Sequence, residues 1–175
     1  MIITLSGLPG SGTTTIAKIV VSRFKLRLVS AGDTFRMMAA ERNMTLSEFG
    51  KLAESDVEID RAIDQRQAQI AKDEDDILVE GRLSGWMVKN ADLKIWLKSP
   101  IEVRCKRIAK RDGIPLERAM RETKERGEGE ARRYLKHYGI NINDLEPYDL
   151  IIDSSKWDGN GVAEIICSAI RLSTK

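Results

Sequence analysis

The sequence predicts an α/β domain built on a mainly parallel, five-stranded sheet. Short apolar runs rich in β-branched residues alternate with longer amphipathic stretches along the whole chain. Strand-then-helix alternation is the pattern of βαβ units, whose strands lie parallel. No internal repeat, low-complexity tract or linker interrupts it, so residues 1–175 are expected to form a single domain.

The elements follow in order. Met1–Ser6 is short, apolar and β-branched, and runs into glycines as a buried strand entering a tight turn. Ile16, Ile19, Val20 and Phe24 then share one helical face. Leu26–Ser30 reads as the second strand, and helical stretches fill about 33–72. Asp76–Glu80 is a third strand ending at Gly81, and Asp92–Lys98 a fourth that stops before Pro100. Ile101, Cys105 and Ile108 line one face of a charged helix, and another helix starts near Pro115. Asp149–Asp153 is the last strand, followed by an amphipathic helix carrying Val162, Ile165, Ile166, Ala169 and Ile170. Residues 104–133 stand apart in charge density. Their "RGEGEARR" reads as a mobile flap or as part of a solvated pair of helices.

With 42% hydrophobic and 32% charged residues and 4 prolines, the composition is that of an ordinary soluble globular protein. A net charge of +2 neither demands nor excludes a nucleic-acid partner, so any basic site must come from local clustering. The apolar runs are far shorter than a membrane span and no secretion signal is legible, so a cytoplasmic protein without a membrane partner is expected. Cys105 and Cys167 are expected to be free thiols, with Cys105 a small buried hydrophobe. Together with one histidine, His137, they make poor material for a metal centre, and His137 is assigned no role.

The stretch "SGLPGSGTTT" at residues 6–15 carries the first chemical signal. It matches the phosphate-binding P-loop pattern at Gly7, Gly12 and Thr14, but Thr13 stands where the lysine belongs. Gly7, Leu8, Pro9, Gly10, Ser11, Gly12, Thr13, Thr14 and Thr15 form the candidate ATP-binding segment. Glycines let successive backbone N–H groups face one point, and the following helix adds its positive end. Neither contribution needs a side chain. The Thr14 hydroxyl is placed to reach a Mg2+ ion. Alone, the segment also reads as a plain glycine turn between strand and helix.

Two further signals follow the next strands. "SAGDTFRMMA" opens a helix bearing Arg36, a bidentate phosphate ligand or, read alone, a surface arginine. In "VEGRLSGWM", Glu80 ends a strand and is placed to hold a water on Mg2+, Gly81 permits a tight exit, and Arg82 projects beyond it. Ligands of open α/β sheets sit at that carboxyl edge. Read alone, Glu80 is also a capping or ion-paired carboxylate, and Trp86 a packing residue. Three such segments after three strands define two phosphate sites, one on the loop and one on arginines.

These residues, with "EIDRAIDQRQ" at 58–67, "ERGEGEARRYLKHYGIN" and "YDLIIDSSKW", make the chain resemble the nucleoside monophosphate (NMP) kinases, most of all cytidylate kinases of the archaeal type. The resemblance spans nearly the whole chain. It implies a three-layer P-loop fold with a helical NMP-binding region at about 33–72 and a small lid at about 111–133. It implies transfer of the γ-phosphoryl of ATP, with Mg2+, to CMP and also to dCMP. Arg126, Glu130 and Arg133 fit the lid-side Arg-x3-acid-x2-Arg spacing of that family, with Glu where bacterial enzymes have Asp. On a helix they share one face. By the same resemblance the NMP site comprises Asp33, Arg36, Arg82, Arg126, Glu130 and Arg133, with Asp33 at a position that orders the metal's water shell. Ala31 replaces the threonine that adenylate kinases carry near the AMP base.

The missing lysine requires charge from elsewhere, because a threonine hydroxyl donates a hydrogen bond but neutralises nothing. The expectation is that Arg126, Arg132 and Arg133, acting with Arg82 and aided by Arg104 or Arg107, swing in as the lid closes. The expected partners are ATP and CMP, with no nucleic acid, and the expected state is a monomer. The alternatives are a kinase for UMP or AMP, a polynucleotide 5′-kinase, and a non-enzymatic nucleotide-dependent switch. An RNA-binding role for the basic segment lacks interleaved aromatics.

Overall fold

The computed structural model describes residues 1–173. Its elements are β1 (Ile2–Gly7), α1 (Thr13–Phe24), β2 (Arg27–Ser30), α2 (Ala31–Glu41), α3 (Leu46–Ser55), α4 (Val57–Asp73), β3 (Ile77–Glu80), α5 (Ser84–Met87), β4 (Leu93–Lys98), α6 (Ile101–Asp112), α7 (Leu116–Tyr138), β5 (Leu150–Asp153) and α8 (Gly159–Ser173). The strands form one sheet in the order β2-β3-β1-β4-β5, and every pairing is parallel. The five expected strands are all present, each beginning one residue later than its apolar run suggests. The aspartates at the starts explain part of this. Asp92 accepts the Ile2 amide at 2.6 Å and Asp149 the Lys94 amide at 2.8 Å, so both cap neighbouring strands from outside the sheet.

Alternate strand residues face opposite layers. Ile3, Leu5, Leu78, Ile95, Leu97 and Ile152 meet Ile16, Ala17 and Val20 of α1 and Val162, Ile166 and Ile170 of α8. On the other face, Ile2, Val29, Ile77 and Val79 pack against Ala71 of α4, while Trp96 packs with Leu83, Tyr134 and Tyr148. Helices α2–α4 add a core of their own around the fully buried Phe49, with Ala39, Ala53, Ile59 and Ile63. Cys105 and Cys167 are buried free thiols, and Trp86 is half-buried against the Trp96 cluster. Among the described residues, no helix is long and apolar enough to cross a membrane.

One reading needs correction. The "RGEGEARR" segment is no break in the chain; α7 runs through Gly127 and Gly129 without interruption. Its buried stripe of Ala119, Thr123, Gly129, Glu130, Arg133 and Tyr134 shows why. Tertiary contact along one face outweighs the roughly 1 kcal/mol that each glycine costs a helix. Gly129 also lets α3 come close, since a Cβ there would lie 2.6 Å from Glu54 Oε1.

The tightest glycine in the core is Gly85, where a Cβ would lie 2.3 Å from Cε1 of the buried Tyr148 ring. Gly85→Ala is expected to destabilise the fold by about 1–3 kcal/mol, the usual cost of overpacking. Thermal unfolding checks this, and an unchanged Tm contradicts the packing described.

Candidate active site

β1 delivers the chain at Gly7 into a loop that the Ser11 amide closes on Leu8 O at 3.0 Å. Gly10 and Gly12 take φ of 83° and 99°, values an L side chain rarely adopts. Gly10 is doubly constrained, because a Cβ there would lie 2.7 Å from Arg104 O. Gly12 then serves as N-cap of α1 without a side-chain capping bond, and the first turn carries no acidic residue. A helix start left open in this way presents amide donors and a positive dipole end, which suits an anion.

Glu80, buried at the end of β3, sits beside this start because β3 pairs with both β1 and β2. Its Oε1 accepts Thr13 Oγ1 at 2.6 Å and Thr14 Oγ1 at 3.3 Å, while Oε2 accepts Ser30 Oγ at 2.7 Å. Ser30 also caps α2 by accepting the Asp33 amide at 3.2 Å. One carboxylate thus links the ends of β2 and β3 with the start of α1. The residue in the lysine position is turned inward to Glu80 and is only 7% exposed. Hydroxyls and a carboxylate are hard oxygen donors, the set that suits Mg2+ when substrate phosphates complete its shell.

A second, arginine-based set faces the loop. Glu130 of α7 accepts Arg82 Nε at 3.1 Å and Arg126 Nε at 2.8 Å. The other end of Arg82 reaches the loop, its Nη1 donating to Gly7 O at 2.9 Å. Burial pushes the Glu130 carboxyl up, but the charges of Arg82 and Arg126, with the bond from Arg126 and the charge of Arg133, hold it at about 2. Arg133, one turn further on, grips Asp60 of α4, with Nε 2.8 Å from Oδ2, and donates to Gly50 O of α3 at 3.4 Å. Burial pushes Asp60 up against the pull of Arg133. Helix α7 is therefore tied at once, through Arg82, to the glycine loop and, through Arg133, to the α2–α4 body.

The structure thus brings together Arg82, Arg126 and Glu130, and joins Thr13 and Thr14 to Glu80. Arg133 belongs to the same helix face but spends its guanidinium on Asp60. Asp33 and Arg36 pair with each other at 2.5 Å on an exposed part of α2, apart from this cluster, and Arg132 is exposed. Arg104 and Arg107 differ from expectation. Neither is poised to swing, because both lie on α6 with their guanidinium groups bound to loop carbonyls. The sequence reading also missed Asp60, Ser30, Ser154 and Gln67. Gln67 is fully buried and donates from Nε2 to Glu80 O at 3.0 Å. The signal for Asp60 and Gln67 was a polar stripe with Asp64, at helical spacing, beside Ile59 and Ile63.

Asp64 gives the cluster a pH dependence. Burial pushes its carboxyl up to about 7, although Tyr138 donates to it at 2.8 Å. The folded chain thus keeps a proton that the unfolded chain releases near pH 4, so this stability is present at low pH and lost as pH rises toward 7. Glu130 acts oppositely, and only as pH falls below its unfolded range toward 2. Between about pH 4 and 7 the decline belongs to Asp64 and, in the same direction, Asp60. Asp64→Asn is expected to flatten the fall in Tm across that window; a fall as steep as in the parent chain contradicts the assignment.

The chain is similar to known proteins along nearly its whole length. Residues 2–156 match the model of the cytidylate kinase-like family. The cytidylate kinase of Archaeoglobus fulgidus is 54% identical over 172 residues, covering 98% of this chain and 96% of that one. That of Methanocaldococcus jannaschii is 51% identical, covering 97% of each. Among solved structures, a shikimate kinase from Bacteroides thetaiotaomicron superposes with a TM-score of 0.64 at 13% identity, covering 98% of both chains. An uncharacterized protein from Eubacterium ventriosum reaches 0.73 at 17% identity with the same coverage. Those two likenesses establish the α/β fold, which a shikimate kinase shares, and the sequence matches establish that this chain belongs to the cytidylate kinase-like family.

Proposed function

We propose that this chain is a cytidylate kinase, transferring the γ-phosphoryl group of ATP to CMP, and also to dCMP, to give ADP and the diphosphate. The observation that carries this reading is the double engagement of Arg82, which donates to the phosphate loop at Gly7 O and to Glu130 of the arginine cluster. Two anion-binding sets joined by one guanidinium suit an enzyme that brings two phosphates together. A switch needs only the first set. The names of the family members support the choice of CMP.

In this reading, residues 7–15 hold the ATP phosphates through backbone N–H groups. The α2–α4 body, about 33–72, holds the monophosphate, with Asp33 and Arg36 leaving their mutual pair to meet it. The lid spans about 111–133, and Arg126, Arg132 and Arg133 meet the transferring phosphoryl group beside Arg82. Glu130 orients Arg82 and Arg126 and keeps them apart. Thr14, and Glu80 through water, would hold Mg2+, which supplies charge neutralisation on the β- and γ-phosphates when bound with ATP. The acceptor is a phosphate oxygen already ionised at neutral pH, so no residue is needed as general base. Positioning and charge stabilisation carry the reaction. The same reading makes the protein a cytoplasmic monomer with no nucleic-acid or membrane partner.

The test is ADP release with ATP, Mg2+ and each of CMP, dCMP, UMP, AMP and GMP. Turnover is expected with CMP and dCMP well above the rest. Preference for another monophosphate moves the substrate and keeps the mechanism. Tight ATP binding without turnover on any of them overturns the kinase reading in favour of a nucleotide-dependent switch, which the inward-turned Thr13 would then explain.

A further inference from the structure

The carbonyls of the phosphate loop are held by three arginines. Arg82 Nη1 donates to Gly7 O at 2.9 Å and Arg104 Nη1 to Pro9 O at 3.0 Å. Arg107 Nη1 donates to Gly10 O at 3.4 Å and to Ser11 O at 3.3 Å. Ser154, just past β5, adds Oγ to Ser11 O at 2.7 Å and is itself held by Arg107, whose Nη2 donates to Ser154 O at 2.6 Å. Arg104 is nearly fully buried, and its Nε is spent on Ser99 O at 3.2 Å. These side chains come from three separate parts of the chain, yet all end on carbonyls of one loop, those of Gly7, Pro9, Gly10 and Ser11.

The carbonyl and N–H of a trans peptide point in opposite directions, and no peptide bond here is cis. Gly7 O shares its peptide unit with the Leu8 N–H, Pro9 O with the Gly10 N–H, and Ser11 O with the Gly12 N–H. Holding each carbonyl outward on a guanidinium aims its N–H to the opposite side. A charged donor on the carbonyl also polarises the unit and strengthens the N–H as a donor. We propose that Arg104 and Arg107 are positioning residues for the phosphate loop, and that by orienting and polarising its amides they replace the function of the absent lysine. The inference deepens the kinase reading and rests on it only for the identity of the phosphate ligand. It also differs from compensation by a closing lid, because these charges are in place before any nucleotide binds.

The test uses Arg104→Gln, Arg104→Lys and Arg107→Gln in the full chain, with ADP and CMP binding measured by calorimetry and KM and kcat by ADP release. Arg104→Gln is expected to weaken ADP by about tenfold or more, the scale of a lost charged hydrogen bond. CMP affinity is expected to stay unchanged, and Arg104→Lys to fall between the two. Adding Thr13→Lys to Arg104→Gln is expected to restore most of the ADP affinity, since it returns a cation to the loop. Unchanged ADP binding, an equal loss for ADP and CMP, or no recovery with lysine at 13 overturns the proposal. If Arg104→Gln fails to fold, the half-buried Arg107→Gln decides by the same criteria. ADP binding requires no turnover, so a chain that binds ADP through this loop yet leaves CMP untouched contradicts the kinase reading alone.

Discussion

A buried carboxylate between two guanidinium groups is costly to assemble, because the ions must leave water and then satisfy every lone pair. Glu130 answers part of that cost by accepting Arg82 on one oxygen and Arg126 on the other. Removing one partner of such a pair typically costs about 3–5 kcal/mol, since an uncompensated charge is left behind. The arrangement therefore specifies a geometry more than it adds stability. With Arg82 held to Gly7 and Arg133 to Asp60, the same face of α7 sets the distance between the loop and the α2–α4 body.

The parallel sheet makes this economy of residues possible. β1 and β3 are neighbours, so their carboxyl ends release Gly7 and Glu80 side by side at the edge where open α/β sheets bind ligands. Glu80 then ties the threonines of α1 to the cap of α2. Arginines on α6 reach the loop because α6 follows β4, the other neighbour of β1. The position of the candidate site is thus a consequence of strand order, and glycines at 7, 10 and 12 put no side chain in its way.

What could be read from the sequence was what lies within one element or one turn. The strands were legible because each is a short, buried, β-branched run, and the one-residue error at two of their starts comes from an aspartate that caps a neighbour. The glycine turn between β1 and α1 was legible because Gly7, Gly10 and Gly12 lie close together in the chain. The face shared by Arg126, Glu130 and Arg133 followed from helical spacing, but the identity of each partner did not. Asp60 lies 73 residues from Arg133, and Pro9 lies 95 from Arg104. No local pattern encodes such pairings. The glycines of α7 misled for the same reason, since only its packed stripe, invisible along the chain, keeps that helix whole.

In the proposed mechanism Glu130 places Arg82 and Arg126 around the transferring phosphoryl group and does no chemistry itself. The most direct measurement is the single-turnover rate of phosphoryl transfer by Glu130→Gln, with ATP and CMP both saturating and folding monitored in parallel. The expected result is a folded protein whose transfer step is slowed by about a hundredfold, the cost of misplacing catalytic groups by an ångström. A folded variant that transfers at the parent rate would contradict it, and would reduce the Glu130 pairs to a structural brace between α7 and the loop.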